Sequence, residues 1–149
     1  MNAASRHPPT SAQVARTRVL CADDNPGMIV AFGLLLDNEP SMVCVGTLNS
    51  ADRLVEVARS MSPRPDIVII DARMPGRNPF EAVTDLSASV PAIRTLIYTG
   101  YDDEALMAQA RAAGAWGCVS KQEEPEALLE AVREIVAGRM VWRDHPRAH

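Results

Sequence analysis

Residues 65–76 read Pro-Asp-Ile-Val-Ile-Ile-Asp-Ala-Arg-Met-Pro-Gly, and this stretch decides the fold. Four branched apolar residues, Ile67 to Ile70, follow one another without the alternation of a strand that has one face in water. Such a run indicates a strand buried on both faces, as in a parallel sheet covered by helices. The carboxylate of Asp71 comes next, at the sheet edge where open α/β folds bind their ligands.

Four other short apolar runs flank this stretch, and helical patterns separate them. The runs span residues 19–22, 42–46, 95–98 and 118–120. Between them, apolar residues recur at the spacing of amphipathic helices. The last predicted helix carries Leu128, Ala131, Val132 and Ile135 at this spacing. Strict alternation predicts an α/β fold, namely a doubly wound (βα)5 unit with a five-stranded parallel sheet and right-handed crossovers.

Polar residues and glycine mark the predicted helix ends. Asn25 followed by Pro26 predicts the start of the first helix, because Asn accepts hydrogen bonds from free N–H groups and Pro lacks one. Ser50 is expected to cap the second helix and Asp102 the fourth. Gly114 is expected to end the fourth helix, since glycine readily adopts the left-handed conformation common at that position.

Length and composition fit a single domain. The 149 residues include 47% hydrophobic side chains, which is enough for a core and too many for a disordered chain. The periodic pattern is missing at both ends. Residues 1–16 are therefore predicted to form a flexible N-terminal arm, residues 17–138 the domain, and residues 139–149 a tail or the start of a linker.

Net charge and cysteine content limit the possible cellular environments and binding partners of the protein. The net charge of −4 argues against electrostatic binding of nucleic acid or of an anionic membrane. The sequence shows neither an apolar run of membrane-spanning length nor a signal peptide, so no membrane association is expected. Cys21, Cys44 and Cys118 lie in apolar runs without metal-ligand spacing and are predicted to be buried free thiols. A cytoplasmic location follows from that reading.

Four predicted strands end in residues that carry chemistry. Asp23 and Asp24 follow the first strand, Asp71 the third, Thr99 the fourth and Lys121 the fifth. Because the carboxyl ends of parallel strands share one edge, three carboxylates, a hydroxyl and an ammonium are expected to converge there. One aspartate at a strand end is usually a turn residue, but the whole set in this order is specific.

A cluster of this composition suits only a few kinds of chemistry. Clustered carboxylates repel one another and need a cation, and their hard oxygens favour a divalent ion such as Mg²⁺. A carboxylate facing that ion can attack a phosphoryl group and become an aspartyl phosphate. Lys121 would neutralise charge on the transferred group, and Thr99 could donate a hydrogen bond to it.

The chain resembles a bacterial response-regulator receiver domain, the phosphoacceptor half of two-component signalling, over about residues 17–138. The motifs that carry the resemblance are Ala-Asp-Asp-Asn at 22–25, Asp-Ala-Arg-Met-Pro-Gly at 71–76, Thr-Gly at 99–100 and Gly-Ala-Trp-Gly-Cys-Val-Ser-Lys at 114–121. The last motif is closest to the LuxR-type subfamily, whose receivers usually precede a helix-turn-helix output domain. The resemblance implies a flavodoxin-like sheet with strand order 2-1-3-4-5.

The resemblance also implies a role for each residue at the sheet edge. Asp71 would be the phosphorylation site, Thr99 the switch hydroxyl and Lys121 the partner of the phosphoryl group. The implied Mg²⁺ ligands are Asp24, Asp71, the backbone carbonyl of Arg73 and, through a bound water, Asp23.

A few positions depart from the family pattern. The family often has an aromatic ring three residues before the lysine, where this chain has Cys118. Trp116, two residues earlier, is a candidate for the same strand face. Asn78-Pro79 replaces a common glycine before the third helix, and Gln122 replaces a proline that often follows the lysine. These departures concern how a signal is transmitted, since all five chemical groups are present.

The implied function is a phospho-accepting switch. A sensor histidine kinase or phosphotransfer protein would donate phosphate to Asp71. The face of the fourth helix, fifth strand and fifth helix would then change its contacts with an output domain, a downstream protein or a second copy of the chain. This segment would not contact nucleic acid directly, and it would catalyse only its own phosphorylation and dephosphorylation.

Two alternatives belong to other classes. A pseudo-receiver would bind partners without phosphorylation, but the presence of Asp71 and Lys121 argues against it. A phosphatase with a nucleophilic aspartate usually needs a second carboxylate two residues on, where this chain has Arg73. The chain also lacks a recognisable cap domain for such an enzyme.

Overall fold

Strands and helices alternate along the whole described chain. The computed structural model describes residues 15–100 and 103–142. Its elements are β1 (Thr17–Ala22), α1 (Pro26–Asp37), β2 (Met42–Leu48), α2 (Leu54–Ser60), β3 (Ile67–Ile70), α3 (Pro79–Ser89), β4 (Arg94–Thr99), α4 (Glu104–Ala113), β5 (Gly117–Ser120) and α5 (Pro125–Val136). The predicted alternation is confirmed. The N-terminal arm falls mostly on residues 1–14, outside the described residues, and stays a prediction.

The five strands form one parallel sheet in the order β2-β1-β3-β4-β5, which confirms the expected order. The central strand β3 is buried along its whole length. Its side chains alternate between two core layers. Ile67 and Ile69 pack in a layer with α1 and α5, and Val68 and Ile70 pack in a layer with α2, α3 and α4. The uninterrupted apolar run of β3 thus reflects burial on both faces.

Asn25 and Gly114 bound their helices as predicted. The side chain of Asn25 accepts hydrogen bonds from the N–H groups of Gly27 at 2.8 Å and Met28 at 3.3 Å. Gly114 follows α4 with a φ of 100°. A residue with a Cβ would be strained at that angle, so glycine suits this helix end.

Two predicted caps differ from the structure. The prediction that Ser50 caps α2 is wrong, because the helix begins only at Leu54 and the Ser50 hydroxyl instead accepts the N–H of Asp52 at 3.3 Å. The cap of α4 is Asp103, whose side chain accepts the N–H of Leu106 at 2.8 Å. Asp102 lies outside the described residues. Propensity alone does not distinguish neighbouring polar residues, since the cap is the one whose side chain reaches a free N–H group.

The four residues 139–142, which we call the C-terminal strap, pack against β5. Gly138, with a φ of 95°, redirects the chain after α5. The N–H of Val141 then donates to the carbonyl of Trp116 at 2.9 Å, and the N–H of Cys118 donates to the carbonyl of Val141 at 3.1 Å. The sequence placed the end of the domain at residue 138, and the packed region extends beyond it. Residues 143–149 lie outside the described residues, so their assignment as tail or linker stays a prediction.

All three cysteines are free thiols, as predicted. Cys21 and Cys118 are buried, but the prediction of burial is wrong for Cys44, which is only partly buried. Its strand, β2, is an edge strand of the sheet and is less covered by neighbours. Over the described ranges, no helix combines the length and apolar character needed to cross a bilayer.

Candidate functional site

Asp23 and Asp24 follow β1 at the carboxyl edge of the sheet. Asp23 is 1% exposed. Its N–H donates to the carbonyl of Leu48 at 2.9 Å, and its Oδ1 accepts the N–H of Asn25 at 2.9 Å. Asp24 is exposed. The sheet and the start of α1 therefore fix one carboxylate of the pair inside the edge and leave the other accessible.

Asp71 follows β3, the strand next to β1. Its N–H donates to the carbonyl of Ala22 at 3.0 Å, and its Oδ1 accepts the N–H of Arg73 at 3.1 Å. Its side chain is mostly buried. One carboxylate oxygen from each of Asp23, Asp24 and Asp71 lies within 4.8 Å of the other two. The predicted convergence of the three carboxylates is therefore present.

The ammonium group of Lys121 links two of these carboxylates. Its Nζ donates to Oδ2 of Asp23 at 2.6 Å and to Oδ2 of Asp71 at 3.0 Å. Burial acts to lower the pKa of Lys121, but the hydrogen bonds to Asp23 and Asp71 outweigh burial and raise that pKa overall. Lys121 is therefore a permanent positive charge in the site at neutral pH.

Thr99 ends β4 and is completely buried. Its carbonyl accepts the N–H of Lys121 at 2.9 Å, which ties the end of β4 to the end of β5. Thr99, Lys121 and the three aspartates thus share one edge, and Arg73 joins them through its backbone. Every residue that the sequence suggested for the site lies there, while the chemical role of each stays a prediction.

Comparison with known families identifies the domain. The family model of the response regulator receiver domain matches residues 19–133, from β1 into α5. The chain belongs to this family. The match includes the whole edge with the three aspartates, Thr99 and Lys121, so the site of this receiver lies inside the region that defines the family.

Curated relatives of the receiver are regulatory proteins. It is 30% identical over 123 residues to the nitrate/nitrite response regulator protein NarL of Escherichia coli K12, covering 83% of this chain and 56% of NarL. It is 36% identical over 124 residues to the DNA-binding transcriptional activator DevR/DosR of Mycobacterium tuberculosis, covering 82% of this chain and 55% of that protein. The receiver thus spans about half the length of these relatives.

Solved structures share its fold. A LuxR-family two-component response regulator from Aurantimonas has a TM-score of 0.79 at 30% identity, covering 85% of this chain and 89% of that one. The signal receiver domain of NarL from Mycobacterium tuberculosis has a TM-score of 0.78 at 25% identity, covering 84% of this chain and 99% of that one. The expected fold and the LuxR-type resemblance are confirmed.

The sequence interpretation missed two contacts that hold the site loops of the receiver. Ser120 and Glu123 close a turn around Lys121, and their Ser-x-x-Glu spacing is a recognisable capping-box pattern. Asp52, before α2, accepts the N–H of Arg77 at 2.6 Å and so anchors the loop after β3. No local pattern reveals this second contact, because the two residues are 25 positions apart.

The suggestion that Trp116 shares a strand face with Cys118 is wrong. Cys118 belongs to the layer of α2, α3 and α4, whereas Trp116 packs against the layer of α1 and α5. The guanidinium of Arg94 lies 4.3 Å from the centre of the Trp116 ring. Because β5 begins at Gly117, Trp116 precedes the strand and does not follow its alternation.

The acidic cluster of the receiver suits a small divalent cation. Asp23, Asp24 and Asp71 bring three negative charges together, and Lys121 supplies one positive charge. The cluster therefore retains a negative excess that a divalent ion would neutralise. Its donors are carboxylate oxygens, the hard ligands that suit ions such as Mg²⁺, Ca²⁺ and Mn²⁺.

Proposed function

We propose that this receiver accepts a phosphoryl group on Asp71 from the phosphohistidine of a sensor histidine kinase or a phosphotransfer protein. The aspartyl phosphate then changes the protein contacts of the domain. One observation carries the proposal: the Asp71 carboxylate lies 3.0 Å from Lys121 Nζ and in one cluster with Asp23 and Asp24. An aspartate that only shapes a turn needs neither the acidic neighbours nor the ammonium.

Asp71 supplies the attacking oxygen. As that oxygen bonds to phosphorus, the phosphorus–nitrogen bond of the donor breaks and its electron pair stays on the imidazole nitrogen. The N–H of Arg73 and the Nζ of Lys121 each hold one oxygen of the carboxylate and thereby orient it. Lys121 remains protonated and stabilises the charge on the phosphoryl oxygens.

A bound Mg²⁺ would neutralise negative charge on the incoming phosphoryl group. The residues that would hold it directly are Asp24, Asp71 and the carbonyl of Arg73, with Asp23 acting through a water. Asp24 suits this role because it is the accessible member of the acidic pair. Asp23 is already hydrogen-bonded to Lys121 at 2.6 Å.

The switch would pass through the linked ends of β4 and β5. We expect the Thr99 hydroxyl to bond to a phosphoryl oxygen and the face of α4, β5 and α5 to respond, which shifts a two-state equilibrium. Candidate partners are an output domain, a downstream protein and a second receiver. DevR/DosR, of which the receiver covers 55%, is by name a DNA-binding activator, so a linked output domain is the leading candidate.

We also propose a location and a catalytic scope for the receiver. The receiver acts in the cytoplasm and makes no direct contact with nucleic acid, in keeping with its net charge of −4. It promotes its own phosphorylation and dephosphorylation at Asp71, and we propose no turnover of other substrates.

Labelling with a small phosphodonor tests the proposal. Incubation with acetyl phosphate and Mg²⁺ should add one phosphoryl group by mass spectrometry, and Asp71→Ala should abolish the addition. The control Asp37→Ala removes an exposed carboxylate from the end of α1 and should label like the wild type. Removal of Mg²⁺ by a chelator should stop labelling. Equal labelling of Asp71→Ala and the wild type would overturn the assignment.

A further inference from the structure

Lys121 lies inside a closed turn formed by its own neighbours. The hydroxyl of Ser120 accepts the N–H of Gln122 at 3.1 Å. In return, the Glu123 carboxylate accepts the N–H of Ser120 at 3.3 Å, and the N–H of Glu123 donates to the carbonyl of Ser120 at 3.1 Å. These bonds form a reciprocal closure of the capping-box type.

The closure does not serve the helix that follows. Helix α5 begins at Pro125, and its N-cap is Glu124, whose side chain makes no capping bond among the described residues. The pair Ser120 and Glu123 stands before that helix start. Its bonds therefore fix the loop between β5 and α5, and Lys121 is the residue of that loop which reaches the acidic cluster.

Fixing the backbone matters because the side chain of Lys121 is long. Its four-carbon stem has many rotamers, and ordering it costs conformational entropy. The backbone that carries this stem is held at two points. The N–H of Lys121 donates to the carbonyl of Thr99, and Ser120 and Glu123 close the turn around Lys121. Lys121 is also the only lysine of the sequence.

We propose that Ser120 and Glu123 are positioning residues that hold the Lys121 ammonium on the phosphoacceptor carboxylate. This inference rests on the proposed function, because the reaction it affects is phosphoryl transfer to Asp71. It assigns a role to two residues through the turn that they close around Lys121.

Three variants separate hydrogen bonding from charge. Glu123→Ala removes the acceptor, Glu123→Gln keeps an acceptor but loses the charge, and Glu124→Ala removes the adjacent exposed charge. Labelling of Asp71 by acetyl phosphate at saturating Mg²⁺ should slow about fivefold in Glu123→Ala, the size of effect typical of a lost capping bond. Glu123→Gln and Glu124→Ala should stay close to the wild type. Ser120→Ala removes the other side-chain acceptor of the same turn and should also slow labelling.

A double-mutant cycle distinguishes positioning from general destabilisation. If Glu123 acts through Lys121, adding Glu123→Ala to Lys121→Ala should slow labelling no further. Additive losses would instead indicate a structural role and overturn the inference. Lysine-selective ¹³C labelling gives a single Cε resonance, which should shift in Glu123→Ala and return in Glu123→Gln before any phosphodonor is added.

The outcomes for the two proposals are separable. If the wild type takes the label, and Glu123→Ala shows the same labelling rate and the same Lys121 resonance as the wild type, the positioning role alone is overturned. A wild type that takes no label would overturn the proposed function, and the positioning role in phosphoryl transfer would fall with it.

Discussion

At the scale of single residues, the site depends on the ammonium of Lys121 between Asp23 and Asp71. Lys121→Met keeps the stem but leaves clustered carboxylates without their counter-charge. We expect the free energy of unfolding, measured in urea at neutral pH, to fall by about 2 kcal/mol, less than for a fully buried pair. Arg59→Met removes an exposed charge from α2 and should change it by less than about 0.5 kcal/mol. Equal losses in both variants would contradict this role.

Cys44 should be the most reactive thiol of the described chain. A hydrogen bond from Cys21 lowers the pKa of the Cys44 thiol to about 6, against the opposing effect of burial, and the same contact raises the pKa of Cys21. A lowered pKa means that the thiolate forms at lower pH. We expect iodoacetamide to modify Cys44 before Cys21 and Cys118. As pH is raised, the modification rate of Cys44 should reach its plateau at a lower pH than the rate of an ordinary thiol does.

Peptide mapping by mass spectrometry measures this order, and Cys21→Ala provides the matched control. Loss of the donor should raise the pKa of Cys44 and move its modification to higher pH. An unchanged pH profile in Cys21→Ala would show that the pair does not set the reactivity.

The residue positions of the site were predictable because a strand end fixes where a side chain lies. Asp71 follows an unbroken apolar strand, and Lys121 and Thr99 follow two others, so their common edge followed from the alternation alone. The supporting contacts were harder to predict. The carboxylate of Asp52 accepts the N–H of Arg77, which lies 25 positions further along the chain. Such a contact depends on where the two loops lie in the folded protein, and local sequence spacing does not encode that position.

At the scale of elements, the C-terminal strap is the part that the sequence did not reveal. Its four residues are too few for a period to be recognised, and its pairing with β5 is long-range. The close approach depends on Gly117, where a Cβ would lie 2.6 Å from the carbonyl oxygen of Val141. The strap continues to Trp142, whose ring centre lies 4.8 Å from the guanidinium of Arg111 on α4.

We therefore expect Gly117→Ala to displace the strap. In a Trp116→Phe background, the fluorescence of Trp142 should become more accessible to acrylamide, and the free energy of unfolding should fall by about 2 kcal/mol. Gly33→Ala on α1 is the matched control, because its added Cβ meets no heavy atom of the described residues within 4 Å apart from its chain neighbours and its own helix backbone. It should leave quenching unchanged. Equal quenching in Gly117→Ala and its parent would mean that the strap tolerates the Cβ.

At the scale of the whole molecule, one sheet lies between two core layers and contributes side chains to both. Alternate residues of β3 belong to opposite layers. The sequence predicted this burial on both faces, because β3 lacks polar alternation. The strand order came from family resemblance, since periodicity describes single elements and not which strands become neighbours. Partial exposure of Cys44 likewise depends on β2 being at the edge, a property of the assembled sheet.

Because the layers share β3, a cavity in one should weaken both. Ile69→Ala removes a fully buried side chain from the layer of α1 and α5, and we expect it to lower the free energy of unfolding by about 3 kcal/mol. The two tryptophans report the layers separately, since Trp116 packs against this layer and Trp142 against the other. Urea unfolding of Ile69→Ala with either tryptophan replaced by Phe should give coincident, equally shifted transitions.

The exposed Leu34 of α1, at 63% exposure, provides the control, and Leu34→Ala should shift neither transition by more than about 0.5 kcal/mol. If only the Trp116 transition moved in Ile69→Ala, the layers would unfold independently. A shared transition would instead mean that the site edge, to which β1, β3, β4 and β5 all contribute, persists only while both layers are intact. Mutations far from Asp71 would then alter the population of receivers with an intact site edge without touching the site.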